Sequence, residues 1–165
     1  QEGVPKMANE DKKDFNAILY TVKNMPRVDI LEDEKAIARH GGPRMFFAPP
    51  MYYNDLMAKI PEGKVITVKE IRSYLAKKYE ADFTEPMTAG AFIGIVAQAS
   101  EQRESDKIPY WRTLKAKGEI NSKFPGGIGK QKALLEAEGH TIVKKGRKNM
   151  RYFVADYEAK LAEIE

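Results

Sequence analysis

Thr67-Val-Lys-Glu70-Ile-Arg-Ser-Tyr-Leu75, Thr84-Glu-Pro-Met87 and Thr88-Ala-Gly-Ala-Phe-Ile-Gly-Ile-Val-Ala-Gln98 follow one another closely, and their reading decides the fold. Thr67 followed three residues later by Glu70 is a capping box, so a helix starts there. Val68, Ile71, Tyr74 and Leu75 recur at the helical interval and form its buried stripe. Thr84–Met87 reads as a turn, and Thr88 as the N-cap of a second helix running through Gln98. Upstream, Tyr52, Leu56, Met57 and Ile60 give a helix from Met51 that Pro61-Glu-Gly63 ends, with Val65–Thr67 as a short extended link.

Further out the signals are shorter. Ile18-Leu-Tyr-Thr-Val22 has strand character. Pro26, Gly41, Gly42, Pro43, Pro49 and Pro50 mark loops around a short helix over Glu32–His40. Downstream, Thr113–Ile120 reads as a hairpin turning at Gly118. Gly129–Glu138 reads as a helix with Leu134 and Leu135 inward and Gly139 as its left-handed stop. Thr141–Lys145 and Met150–Val154 flank Gly146-Arg-Lys-Asn149 as a second hairpin, and Asp156–Glu165 closes as a short amphipathic helix. Helix, turn, helix, helix and basic hairpin is the order of a winged helix-turn-helix, mainly α with small β-hairpins. At 165 residues the chain makes one domain with arms. Residues 1–13 are expected to be a tail, 14–50 an extension packed on the domain, 51–154 the winged-helix domain and 155–165 the C-terminal helix.

Lys plus Arg is 28 against 24 acids, a mild excess of +4, so the placement of charge matters more than its sum. Between Gly139 and Ala155 stand Lys144, Lys145, Arg147, Lys148 and Arg151 with no acid among them. A basic cluster on one hairpin is the footprint expected for phosphate contacts. The helix from Thr88 differs, with no Lys or Arg as far as Gln102. Gly90, Ala91, Gly94 and Ala97 recur at threes and fours on it. Such a face either packs tightly inside the domain or lies in a groove, the minor groove, with the helix N-terminus meeting a phosphate.

Three stretches carry a family resemblance: Ile60-Pro-Glu-Gly-Lys-Val-Ile-Thr67-Val-Lys-Glu-Ile, Ile108-Pro-Tyr-Trp-Arg112, and Lys117-Gly-Glu-Ile-Asn-Ser-Lys-Phe-Pro-Gly-Gly127 with Gln131-Lys-Ala-Leu-Leu-Glu-Ala-Glu-Gly139 beyond it. In this order and spacing they resemble the O6-alkylguanine-DNA alkyltransferase family, over roughly Met51 to Val143. The resemblance implies the DNA-binding C-terminal domain of that family. Tyr110 stands at the position of the reactive cysteine and Trp111 at that of the histidine; the chain has no cysteine. That is nearest to the alkyltransferase-like proteins, which lack the cysteine and bind alkylated guanine flipped from the duplex for other repair proteins.

The implied function is therefore non-catalytic binding of duplex DNA, alkylated guanine included, with a repair protein as partner. Thr88, Gly90, Ala91 and Gly94 would meet the groove, and the hairpin cations the phosphates. Tyr110, Trp111, Arg112 and Glu138 would form a base pocket. Stacking on an aromatic contributes about 1–3 kcal/mol per base. Arg112 would bring charge to the flipped nucleotide's phosphate. Glu138, the family's second-shell acid, either accepts the Trp111 indole N–H or is an exposed acid at a helix end. The sequence departs from the family in three places. The tyrosine that helps rotate the target phosphate is Val68. The arginine finger falls near Ala91 or Phe92, where Phe92 is either a wedge or core. The asparagine hinge is Ser100-Glu-Gln-Arg103-Glu-Ser-Asp106. The rival reading is a winged-helix interaction or regulatory module docking through its aromatic N-terminal half, although Phe46, Phe47, Tyr52 and Tyr53 read first as core.

Other chemistry finds little footing. His40 and His140 have no carboxylate at ligand spacing, so no metal site is expected. Gly126-Gly-Ile-Gly-Lys130 lacks the spacing and hydroxyl of a phosphate-binding loop. No cofactor is expected. No apolar run is long enough to span a bilayer, and a cytoplasmic location is the default expectation.

Overall fold

The structure, a computed structural model, describes residues 13–164, so the tail expected over 1–13 lies outside it except for Lys13. In chain order the elements are α1 (Phe15–Thr21), β1 (Arg27–Ile30), α2 (Glu34–His40), β2 (Arg44–Phe47), α3 (Pro50–Met57), β3 (Ile66–Thr67), α4 (Val68–Lys78), β4 (Phe83–Thr84), α5 (Pro86–Gln102), β5 (Thr113–Leu114), α6 (Gly127–Ala137), β6 (Ile142–Lys145) and β7 (Arg151–Val154). The architecture is mainly helical with small sheets: α4 and α5 form the helix-turn-helix and β6–β7 the wing.

The centre forms where its local chemistry directs. Thr67 and Glu70 complete the capping box at the start of α4, with the Thr67 amide donating to Glu70 Oε1 at 2.9 Å. Ile71 and Leu75 point into the core, and Val68 and Tyr74 pack on its edge. α5 presents Ala89, Ile93, Val96, Ala97 and Ser100 inward. Around it gather Leu19, Phe46, Tyr53, Met57 and Tyr110. A smaller cluster of Val65, Leu114, Ile120, Leu135 and Val154 lies under the wing. Trp111 borders both clusters.

Several peripheral expectations are corrected. The strand expected over Ile18–Val22 is the helix α1, because Asp14 caps it by accepting the Ala17 amide at 3.0 Å. Its neighbour α5 then holds it: Asn16 Nδ2 donates to the Ala99 carbonyl at 2.9 Å, and Gln102 bridges the Phe15 amide and the Lys13 carbonyl. The loops expected on either side of α2 contain β1 and β2. These pair antiparallel from Arg27↔Phe47 to Ile30↔Arg44, and β2 pairs parallel with β4.

Thr113–Ile120 is not a hairpin. β5 pairs in parallel with β3, Ile66↔Thr113 and Thr67↔Leu114, and a 3-10 turn over Ala116–Gly118 follows. Gly118 has φ +84°, and a Cβ there would lie 2.6 Å from the Tyr157 ring, so both backbone and space require glycine. The helix expected from Asp156 is only a 3-10 turn, Tyr157–Lys160. Beyond it the chain runs extended beside Val65, which donates to the Lys160 carbonyl at 2.9 Å and accepts from the Ala162 amide at 2.8 Å. An available edge outcompeted the helical periodicity of a short segment. The wing forms as expected, from Ile142↔Val154 to Lys145↔Arg151.

Candidate nucleic-acid interface

The cap of α5 lies three residues before the expected one. Glu85 is its N-cap, accepting from the Met87 amide at 2.9 Å, the Thr88 amide at 2.7 Å and the Thr88 hydroxyl at 2.6 Å, with Pro86 in the first turn. Thr88 therefore sits inside the helix and donates to Glu85. Burial alone would raise the Glu85 carboxyl; the bonds from Thr88 and Met87 outweigh it and hold it below the usual carboxylate range. A carboxylate thus occupies the place at the helix N-terminus where a phosphate was expected to bind.

The small face of α5 is open at Gly90, Ala91 and Gly94. Gly90 and Ala91 are exposed and Gly94 half-buried. A Cβ at Gly90 or Gly94 would meet nothing within 4 Å. Ala97 has turned away from this face and is fully buried. Phe92 packs against the core, its ring edge-on to Tyr53 at 6.2 Å. Phe46 and Tyr53 are buried in the core and Tyr52 packs against it, whereas the half-buried Phe47 lies under the Arg27 guanidinium at 4.1 Å.

On the wing, Lys144, Lys145, Arg147 and Lys148 are exposed and make no salt bridge among the described residues. Lys145 lies over the Phe153 ring at 5.0 Å. Arg151 differs from them: its guanidinium pairs with Glu119 at 2.6 and 3.0 Å, which neutralises it and ties the wing to the 3-10 turn.

The expected base pocket divides into a joint and a cavity. Arg112 Nε and Nη2 bind the two oxygens of Glu138 at 3.0 and 2.7 Å, and Nη1 donates to the Ile60 carbonyl at 2.6 Å. The Trp111 indole donates to Glu138 Oε2 at 3.0 Å. Glu138 is therefore no surface acid: its side chain is 10% exposed and that of Arg112 13%. Burial would raise the Glu138 carboxyl, but the bonds from Arg112 and Trp111 hold it below the usual range. Arg112 is committed to this joint, and its charge is matched there rather than held for a phosphate.

Tyr110 is 2% exposed, walled edge-on by Trp111 and Phe124, so its ring faces offer no stacking platform. Its hydroxyl donates to Glu101 Oε1 at 3.1 Å, and Lys130 holds the other oxygen of Glu101. Burial, with Glu101 beside it, pushes the Tyr110 hydroxyl up. Beside the half-buried Trp111 a cavity of about 300 Å³ opens, lined by Ser100, Glu101, Lys107, Ile108, Pro109 and the 110–112 turn.

Glu101, Lys130 and Gln131 stood inside quoted stretches of the sequence but were given no role of their own there. Gln131 is buried, donating to the Trp111 and Thr113 carbonyls at 3.0 and 3.4 Å and accepting from the Asn121 amide at 2.9 Å, so α6 fixes the turn from within. Nothing local marks these residues, since their partners are far away in sequence.

The family model described as 6-O-methylguanine DNA methyltransferase, DNA binding domain, matches residues 53–140, more than half of the chain. The chain belongs to that family. This methyltransferase-family match runs from within α3 through α6 and the joint at Glu138, and ends before the wing. No curated protein matches the chain. Among solved structures it is similar to S. pombe Atl1 in complex with damaged DNA containing O6-carboxymethylguanine, at 24% identity and TM-score 0.48, over 70% of this chain and 94% of that one. It is also similar to S. pombe ATL in complex with DNA, at 24% identity and TM-score 0.49 over the same shares. A third likeness is to the Mycobacterium tuberculosis O6-methylguanine methyltransferase, at 27% identity and TM-score 0.35, over 54% of this chain and 47% of that one. Among the described residues no cluster of His, Cys, Asp and Glu could hold a metal ion, and no helix is long and apolar enough to cross a membrane.

One titration follows from this geometry. His140 is 4% exposed, and neither ring nitrogen has a hydrogen-bond partner among the described residues. Burial pushes its imidazole down, Lys160 and Arg112 add to this, and Glu138 opposes it. The unfolded chain, whose His titrates near 6.5, then binds the proton more tightly than the folded one. The stability contributed by neutral His140 is whole above about pH 6.5 and is lost as pH falls from there through the lowered folded value. Glu138 acts in the same direction at lower pH, its contribution lost as pH falls through its own lowered value. Tm is expected to fall between about pH 7 and pH 5, and His140→Gln to flatten the upper part of that fall. Calorimetry across the range checks both.

Proposed function

We propose that this protein binds duplex DNA and recognises O6-alkylated guanine without transferring the alkyl group. The observation that carries the reading is the open face of α5. A Cβ at Gly90 or Gly94 would meet nothing within 4 Å and Ala91 is exposed, which leaves room for a groove wall to approach the helix backbone. Lys144, Lys145, Arg147 and Lys148, exposed and without a salt bridge among the described residues, supply sequence-independent attraction to phosphates. Membership of the methyltransferase DNA-binding family supports the choice of DNA as partner. Tyr110 stands where the family's resemblance puts the alkyl acceptor, and its buried hydroxyl, raised in pKa, is a poor nucleophile. Of the two aromatics that line the cavity, Tyr110 is 2% exposed and Trp111 half-buried, so Trp111 is the side chain better placed to meet a flipped base. The exposed Tyr20 and Ile30 of the N-terminal extension are the apolar surface left for a repair-protein partner.

Fluorescence anisotropy with matched duplexes, one carrying O6-methylguanine, tests the proposal. Binding to both is expected, tighter for the lesion and weakening with salt, and the recovered oligonucleotide should keep its methyl group. Failure to bind either duplex at low salt would end the reading. Equal affinity for both would remove lesion recognition and leave DNA binding.

A further inference from the structure

One side chain stands out from the open face of α5. Met87, Gly90, Ala91 and Gly94 follow at i, i+3, i+4 and i+7 and share one side of the helix. Met87 is 82% exposed, more than Tyr20 at 73% or Ile30 at 60%. Beside it the surface is flush, with open space at Gly90 and Gly94. Its root is rigid, because Pro86 precedes it and its amide is held by Glu85 at 2.9 Å. No Lys or Arg stands on α5 itself, and Glu85 fills the helix N-terminus, with Arg72 of α4 facing Glu85 and donating to the Thr84 carbonyl at 3.2 Å. What it offers a partner is shape: a smooth backbone surface ending in one flexible, unbranched apolar side chain.

We propose that Met87 is an apolar wedge that enters the minor groove and opens a base-pair step when α5 lies against duplex DNA, an inference that rests on the DNA-binding reading above. Minor-groove proteins insert Met and similar side chains between base pairs, unstacking them and kinking the duplex. A protein-docking patch would be contiguous and apolar, whereas Met87 stands alone among glycine and alanine on its face. The wedge is distinct from the cavity beside Trp111. Met87 lies about 21 Å along the helix axis from Glu101, at roughly 1.5 Å per residue. That is several times the roughly 3.4 Å between neighbouring bases, too far for Met87 to fill the space left by a base held in the cavity. The sequence signal was available, because the buried stripe of α5 runs through Ala89, Ile93, Val96 and Ser100 and leaves Met87 out of phase with it.

The test uses unmodified duplexes with 2-aminopurine at successive positions, a second duplex with a donor and acceptor dye at its ends, and anisotropy in parallel. Wild type is expected to raise 2-aminopurine fluorescence at one step and to shorten the end-to-end distance. Met87→Ala is expected to bind within about tenfold of wild type, to lose both signals and to keep its melting curve, the side chain being exposed. Met87→Leu should restore both. If Met87→Ala keeps both signals, or wild type binds without producing either, the wedge is overturned and Met87 belongs to another surface. If wild type fails to bind any duplex at low salt, the anisotropy arm shows that DNA binding itself has failed, before the variants are compared.

Discussion

Glu138→Ala is expected to lower the melting temperature by about 10 °C. The Glu138 carboxylate receives two arms of the Arg112 guanidinium and the Trp111 indole, while the third arm of Arg112 holds the Ile60 carbonyl at the end of the α3 region. One carboxylate thus joins the C-terminal end of α6, the 110–112 turn and the segment leading to β3. Removing it strands a guanidinium whose side chain is 13% exposed. Breaking a buried pair from one side costs about 3–5 kcal/mol, and a chain of this length loses about 2–4 °C per kcal/mol. Glu138→Gln keeps the shape and one acceptor oxygen, so its loss should be smaller, about 1–3 kcal/mol. Trp111 is the chain's single tryptophan, so its emission reports on this joint directly. Thermal melts followed by tryptophan fluorescence and circular dichroism measure the effect, and a Glu138→Ala melt within about 2 °C of wild type would refute the role given to the pair.

The same joint indicates how far the sequence could be read. Elements whose signals are complete within a few residues were legible. The Thr67–Glu70 box starts α4, Gly139 with φ +95° stops the chain after α6, and the Gly146–Asn149 tip turns the wing. Elements decided by a distant partner were not. β5 looked like half of a hairpin because its own neighbours are turn-formers, yet its partner β3 lies 47 residues earlier (Thr113 against Ile66). The C-terminal segment has a helical pattern but lies on the edge that Val65 leaves open. At the site, the family resemblance offered two readings of Glu138, an acceptor for the Trp111 indole or an exposed acid at a helix end, and the bond to Trp111 is present at 3.0 Å. Motif order could not foresee that Arg112 would be consumed by the same carboxylate, or that Phe124 and Trp111 would wall in Tyr110. Glu85 shows the limit at a single turn: with Thr88 available as a cap, the longer acid three residues earlier captured both amides and the hydroxyl.

Reversing Arg147 and Lys148 together to glutamate is expected to weaken duplex binding by about 60-fold near 0.1 M salt. Each phosphate contact contributes about 0.9 to the slope of log affinity against log salt, so two contacts lower that slope by about 1.8. One decade in salt below the concentration where the curves meet, near 1 M, that slope amounts to about 60-fold, or about 2.5 kcal/mol. The substitutions should leave folding intact, since both side chains are exposed at the tip and make no salt bridge among the described residues. Arg151 supplies the control. Its charge is already matched by Glu119, whose side chain is 10% exposed, so Arg151→Gln should change the salt slope little and act mainly by releasing the wing from the 116–118 turn. Anisotropy titrations of all three proteins at several salt concentrations separate the two behaviours. A reversed tip with the wild-type slope would show that the wing meets no phosphate and that the salt dependence comes from other cations of the protein.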